Sequence, residues 1–460
     1  MSPGVTGMET WIAAAALLLA AFAGAPMFAV IAAAGLAAFS AAGTDPAALI
    51  AELYRLVDFP ALIAIPLFTF AGYVLAESQA PRRLVAVAQA LLGWMPGGFA
   101  VVAILSTAVF TAFSGASGVT IIALGGLILP ALLKQGYPRR FSLGLMTTSG
   151  SLGLLFPPSL PIILYSIVAG VSIDRLFVAG LVPGIVLIVV LCAYSIRMGI
   201  AAKVPRAPFR IREVGRALKD AAWEIPLPFV VIGGIYGGFV TATEAAALTA
   251  VYLAIVEVLI RREITLIPGH GRRGRAVGAT AGRAADSESP RPGMAASEPA
   301  NLAKVIRDSM ILVGAILVML GAAMGVTSYI VDQQIPMKLF ALVSSVVSSR
   351  ILFLIILNVF ILVLNMVEIF SAIIIVVPII VPVAMQYGVD PVHLGIIFLL
   401  NLEIGYMTPP LGLNLFLSSM RFGQPLSRAY RAVLPFFGLL AAVLLLVTYV
   451  PELSLGLGRR

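Results

Sequence analysis

The sequence predicts an all-α polytopic membrane protein with an inverted repeat, two re-entrant hairpins and two broken helices. Three observations predict it. Hydrophobic residues make up 60% of the chain and charged residues 11%, with a mean hydropathy of +1.06, far from the roughly 45–50% apolar and about 25% charged usage of soluble domains. The stretch Gly150–Leu164, GSLGLLFPPSLPIIL, reads as a membrane helix interrupted at its middle, because Gly153 weakens the helix and Pro157 and Pro158 each remove a backbone donor. The same device returns 252 residues later in Gly405–Phe416, GYMTPPLGLNLF, with Gly405, Pro409 and Pro410 opposite Gly153, Pro157 and Pro158. Breaks of this kind at bilayer depth survive only inside protein or beside a water-filled cavity, and a pair of them points to the ion and substrate site of a transporter.

The apolar run 11–39, with Gly24 and Pro26 as a bend, is long enough for one span or for a span plus a partial one. A second span follows at about 59–76, then an amphipathic stretch from Arg82 and Arg83 to Trp94, suited to a membrane surface. From 96 to 133 two apolar arms flank FSGASGVT, Phe113–Thr120, which is too small and polar for a lipid-facing helix and fits the tip of a re-entrant hairpin. The broken helix at 141–171, a span at about 176–199 and a basic loop up to Lys219 come next. Spans at about 225–241 and 243–260 complete a first half, 1–260. Residues 261–308, rich in Gly, Ala, Arg and Ser without apolar periodicity, read as a disordered cytoplasmic linker. The second half, 309–460, holds a span at about 309–330, a hairpin at 351–385, the broken helix at 392–418 and a last span near 434–450.

The net charge of +9 does not indicate nucleic acid, because the Lys and Arg residues gather between apolar segments, as the positive-inside rule requires of cytoplasmic loops. With the loops around Arg210 and the linker fixed as cytoplasmic, counting crossings puts Arg82, Arg83, Lys134, Arg139, Arg140, Arg421, Arg428 and Arg431 inside as well. The count also sends the first hairpin in from the cytoplasm and the second from the periplasm, which inverts the second copy. The lone Cys192 lies in an apolar run and has no disulfide partner.

A broken helix exposes free carbonyls on one half and free amides on the other, so it can hold a cation and an anion without a buried charged side chain. In the first half-site Ser114, Ser117 and Thr120 lie at the hairpin tip, opposite the carbonyls of Gly150 to Pro157. In the second, Glu368 and Ser371 lie near the tip, opposite Gly405, Met407 and Thr408. Hydroxyls and carbonyls with little formal charge suit Na⁺ better than a divalent metal.

The runs FSGASGVT, GLLFPPSLPIILYSIVAGVSIDRLFVAGLVPG and VDPVHLGIIFLLNLEIGYMTPPLGLNLF resemble the large membrane (M) subunit of tripartite ATP-independent periplasmic (TRAP) transporters, and the likeness covers nearly the whole chain. The resemblance implies an elevator-type secondary transporter of the ion-transporter superfamily in a bacterial inner (cytoplasmic) membrane, importing organic acids with Na⁺ and no other cofactor. It also implies two partners, a small membrane subunit and a periplasmic substrate-binding protein. Carried over by motif, one cation site would use Ser114, Ser117, Gly150, Gly153 and Phe156 or Pro158, and the other Gly405, Met407, Thr408 and the neighbourhood of Glu368. Substrate would bind between the tips, near Ser117 and Asn414. The chain departs from the family pattern at Ala116, where a third serine is commoner, and at Glu368, where Asp is commoner. Nothing before Trp11 resembles a fused small subunit, so that subunit is expected as a separate polypeptide.

Two other function classes fit parts of the sequence. GASG, Gly115–Gly118, superficially suits an intramembrane serine hydrolase, which would need Ser117 and His393 in hydrogen-bond reach. A transporter of the same superfamily acting alone would need no binding protein. Serines and threonines in membrane helices also bond simply to backbone. Glu403 admits a functional or a bracing role. Glu244 and Glu257 are expected at the interface, and His393 at the surface.

Overall fold

The computed structural model describes residues 25–43, 56–206, 208–266, 301–364, 369–408 and 412–457, with isolated positions between 12 and 54. Among the described residues there is no β-strand, only an isolated parallel bridge between Thr265 and Asn301. That bridge brings the two ends of the segment 267–300 together, with Leu302 N donating to Thr265 O at 2.8 Å. The predicted linker lies mostly outside the described residues.

The helices in chain order are α1 (Met27–Ala41), α2 (Ala64–Glu77), α3 (Ala80–Leu92), α4 (Gly98–Ser114), α5 (Ser117–Lys134), α6 (Arg139–Ser149), α7 (Leu160–Ala169), α8 (Ile173–Ala201), α9 (Ile211–Asp220), α10 (Pro226–Tyr236) and α11 (Ala242–Ala254). After the segment 267–300 come α12 (Leu302–Asp332), α13 (Ile335–Ser344), α14 (Arg350–Leu364), α15 (Ile369–Gln386), α16 (Pro391–Gly405), α17 (Leu413–Phe422) and α18 (Leu426–Tyr449). Among the described residues five helices are long and apolar enough to cross a membrane: α5, α8, α11 with its continuation to Ile260, α12 and α18. This is a multi-pass membrane protein.

The helix pair α4 and α5 forms the first hairpin and α14 and α15 the second, whose tip, 365–368, lies outside the described residues. In the first broken helix the stretch Arg139–Leu155, α6 with the short turn Leu152–Leu155, is bent by 46° from α7 at the break that holds the two prolines. The helix bounds themselves recur at the 252-residue spacing: Gly98 and Arg350, Ser117 and Ile369, Lys134 and Gln386, and Arg139 and Pro391 all begin or end equivalent helices. Gly136 and Gly388, at the same spacing, both take positive φ, 91° and 72°, to turn the chain between hairpin and broken helix.

Three segments differ from the sequence expectation. The 225–241 span is only the 11-residue α10, about 17 Å long against a hydrocarbon core of roughly 30 Å, because prolines open it and Gly237 and Gly238 end it. The basic loop after α8 contains the amphipathic helix α9, which packs on α3. The final span is longer than expected, since α18 runs from Leu426 through Arg428 and Arg431.

Packing follows the breaks. α6 lies against α18, α7 against α15, and α17 against α5, while α12 gathers α1 and α2, and α11 joins α2. Every described residue of α16 from Val392 to Gly405 is buried, as are Phe141–Ser149 of α6 and Leu160–Ile167 of α7. The two interrupted helices are therefore enclosed by protein, the condition under which unpaired backbone is tolerated at membrane depth.

Candidate functional site

The first hairpin turns in two residues. Gly115 takes φ +64° and its N–H closes α4 on Thr111 O at 2.8 Å, Ala116 is extended, and α5 starts at Ser117. A β-carbon at Gly115 would lie 2.6 Å from Leu160 Cγ, so the tip is seated on the start of α7. Ser114, Ser117 and Thr120 are all buried there.

Thr111, which the sequence reading passed over, is the hub. Its Oγ1 lies 2.9 Å from Gly150 O, 2.7 Å from Thr120 Oγ1 and 2.8 Å from Thr107 O, and Ser114 Oγ is 3.4 Å from Thr120 Oγ1. One hydroxyl proton cannot serve both carbonyls. The cluster is thus richer in oxygen lone pairs than in protons, and Ser117 Oγ, buried beside it in sequence, has no hydrogen-bond partner. Ser149 and Ser159, which flank the break, also have buried and unpartnered hydroxyls. Thr107 and Thr111, four apart and so on one face of the first arm, were the available sequence signal.

Glycines let the break approach the hairpin. A β-carbon on Gly150 would meet Ile121 Cγ1 at 2.6 Å and Ser117 O at 3.4 Å, and one on Gly153 would strike Thr111 Cβ at 2.6 Å and the α4 backbone. Ser114, Ser117, Gly150 and Gly153 are therefore brought together. Phe156 has its ring against Gly184 of α8, turned away from the tip. Pro158 is buried and follows a cis peptide bond from Pro157.

In the second half-site the chain folds back after Gly405. Thr408 Oγ1 donates to Ile404 O at 2.8 Å, Thr408 N to Gly405 O at 3.0 Å and Asn414 N to Tyr406 O at 3.0 Å, which ties the start of α17 to the end of α16. Glu368, Pro409 and Pro410 lie outside the described residues. Ser371 Oγ lies 3.4 Å from Met319 Sδ of α12. Glu403, one turn before the break, is completely buried, and neither carboxyl oxygen has a hydrogen-bond partner.

The two breaks meet. Asn414 Nδ2 donates to Thr147 O at 3.2 Å, Thr147 Oγ1 to Ser418 Oγ at 2.9 Å, and Met407 Sδ stands 3.7 Å from Thr148 Oγ1. With its amide used, Asn414 presents a buried, unpartnered Oδ1, an acceptor that suits a cation or a hydroxyl rather than a carboxylate. Among the described residues no group of three or more His, Cys, Asp or Glu could hold a metal; the oxygens available are hydroxyls and carbonyls, ligands for a small hard cation.

His393 is not at the surface. It is fully buried, with Nδ1 2.6 Å from Ser454 Oγ and Nε2 3.3 Å from Thr448 O, so both ring nitrogens are committed far from Ser117 and the hydrolase pair does not form. Glu244 is at an exposed helix start, where it completes a capping box with Thr241. Glu257 is buried rather than interfacial, because Arg83 reaches it at 3.2 Å while also pairing Glu224 and Glu263 at 2.5 Å each.

The chain is similar in fold to the YdaH transporter of Alcanivorax borkumensis, whose crystal structure has an unusual topology, with a TM-score of 0.58 and 13% identity over 89% of this chain and 88% of that one. It is 34% identical over 408 residues, 88% of each chain, to the C4-dicarboxylate TRAP transporter large permease protein DctM of Pseudomonas aeruginosa. It is 32% identical to the isethionate TRAP transporter permease protein DctMQ of Oleidesulfovibrio alaskensis, over 92% of this chain and 62% of that protein. The family model described as tripartite ATP-independent periplasmic transporter, DctM component, matches residues 11–453. A transport protein and not an enzyme, the chain belongs to the DctM component family of tripartite ATP-independent periplasmic transporters.

Proposed function

We propose that this chain is the permease subunit of a Na⁺-coupled importer that receives an organic acid from a periplasmic binding protein and moves it across the bacterial inner membrane. A small membrane subunit enlarges its scaffold, and the hairpins and broken helices travel together as an elevator. The observation that carries the reading is the oxygen cluster of Thr111, Ser114, Thr120 and Gly150 beside the unpartnered Ser117, at a break with no carboxylate. A cation there would take the lone pairs that the available protons leave over. At the second break a cation near Gly405, Met407 and Thr408 would neutralise the unpartnered Glu403, whose burial as a charge is costly alone. Two bound cations beside the positive amino ends of α7 and α17 then favour an anion between them. The names of the relatives, which specify a C4-dicarboxylate and isethionate, support an organic anion as cargo.

The test is uptake into vesicles holding the chain with its small subunit, supplied with loaded binding protein. Uptake that needs an inward Na⁺ gradient and is lost in Ser117→Ala supports the reading. Uptake driven equally by K⁺, or unchanged in Ser117→Ala, overturns the Na⁺ assignment.

A further inference from the structure

Four arginines from distant parts of the chain converge at the ends of two packed helices. Arg139 and Arg140 open α6, Arg428 and Arg431 lie in the first turns of α18, and with Leu143 and Gln424 they line a cavity of about 340 Å³. Arg140 Nε donates to the carbonyl of Arg431 at 2.9 Å across 291 residues of sequence, and Arg428 Nη1 lies 3.4 Å from Gln424 Oε1. No ion pair formed by the described residues includes any of the four.

This arrangement runs against the helix dipoles. The amino end of a helix carries partial positive charge and is stabilised by acids, whereas cations there are unfavourable. Neither α6 nor α18 has an acid in its first turn or a side-chain cap. The fold contains its own control. At the repeat spacing the equivalent packed pair is α16 and α8, and there the charges are conventional: Asp390 caps α16 by accepting from Val392 N at 2.8 Å and His393 N at 3.3 Å, and α8 has Ser172 as its cap and Asp174 in its first turn. One end of the same helix packing is satisfied internally by acids. The other lacks them and gathers guanidinium groups around an open cavity. The positive-inside rule accounts for the side of the membrane on which these arginines lie, but not for their convergence on one cavity.

We propose that the cavity binds the phosphate of an anionic phospholipid of the cytoplasmic leaflet. Guanidinium groups bind phosphate oxygens through charge-assisted, commonly bidentate hydrogen bonds, and two helix amino ends add backbone N–H groups of the same sign. The position at the cytoplasmic ends of membrane helices suits a headgroup whose chains remain in the bilayer. The bound lipid holds the first broken helix to the last span.

The test compares thermal unfolding of the full chain in vesicles of phosphatidylcholine alone and of phosphatidylcholine with an equal part of phosphatidylglycerol. Phosphatidylglycerol is expected to raise the unfolding temperature of the wild type, and Arg428→Gln/Arg431→Gln to lose most of that rise, with affinity weakened roughly 30-fold for two arginines near the surface. Arg175→Gln, at the opposite end, keeps the rise. An equal rise in all three proteins would mean diffuse surface attraction and overturn the site. Inorganic phosphate in detergent giving the same Arg428-dependent rise would make the ligand a soluble anion and overturn the lipid assignment. Should the double variant fail to fold, the single variant Arg428→Gln decides: a smaller rise than the wild type's supports the site, and an undiminished rise overturns it.

Discussion

Asn414 Nδ2 donates to the carbonyl of Thr147 at 3.2 Å, joining the helix after one break to the helix before the other across 267 residues. Replacing Asn414 by Ala leaves that buried carbonyl without its donor. We expect a loss of about 1–3 kcal/mol, seen as a lower unfolding temperature in both NaCl and KCl. An unchanged unfolding temperature would show that the bond does not hold the breaks together.

Thr111→Val keeps the shape of the side chain and removes the oxygen between Gly150 O and Thr120 Oγ1. Stabilisation by a ligand follows RT ln(1 + [L]/Kd), so the Na⁺-specific rise in unfolding temperature should shrink or vanish. Thr107→Val is the comparison, since its hydroxyl bonds only to the Ala103 and Ile104 carbonyls of its own helix. A Na⁺ response that falls equally in both would assign the effect to helix packing.

Glu403→Gln replaces a buried, unpartnered carboxyl group with an amide that cannot ionise. In Na⁺-free medium the variant should unfold no earlier than the wild type, because a neutral amide is less costly to bury than a lone carboxylate. Its response to NaCl at matched ionic strength should be weaker. Early unfolding with an intact Na⁺ response would give Glu403 a bracing role instead.

Gly72 of α2 lies against the first hairpin tip so closely that a β-carbon would stand 2.5 Å from Phe113 O and 2.6 Å from Ser114 Cα. If hairpin and scaffold slide past each other, Gly72→Ala obstructs that contact and should slow uptake, and because the β-carbon must displace the backbone at Ser114 it should weaken the Na⁺ response of the purified protein as well. Uptake at the wild-type rate would argue against sliding at this surface.

Arg83 reaches Glu224, Glu257 and Glu263 from one guanidinium group that is 11% exposed. Arg83→Ala should cost about 3–5 kcal/mol by leaving the buried Glu257 with no cation and Glu224 with only the more distant Arg261. Arg83→Lys should recover only part of it, since an ammonium lacks the planar fork. Thermal unfolding of both variants checks the order, and an Ala variant as stable as the wild type would contradict it.

Much of this molecule is legible in its amino-acid order. Gly153, Pro157 and Pro158 act on their own backbone, so the first break can be read locally, and the helix bounds at Ser117 and Arg139 fall where the small residues and the proline before Arg139 put them. Glu257 and His393 show the opposite. Nothing adjacent marks them for burial; Arg83, 174 residues away, and Ser454, 61 residues away, supply their partners. Thr111 was missed for the same reason, since a threonine in an apolar arm acquires meaning only when Gly150 is brought to it.

By itself the sequence determined membrane residence, the two breaks, their spacing and the family, because hydropathy, glycine freedom and proline's missing donor are properties of short segments. Tertiary structure alone decided which oxygens meet at the first break, that Asn414 spends its amide on Thr147, and that four arginines converge at the start of α6 and α18. Those are distances between residues far apart in the chain, set by how the enclosed helices pack, and no local pattern encodes them.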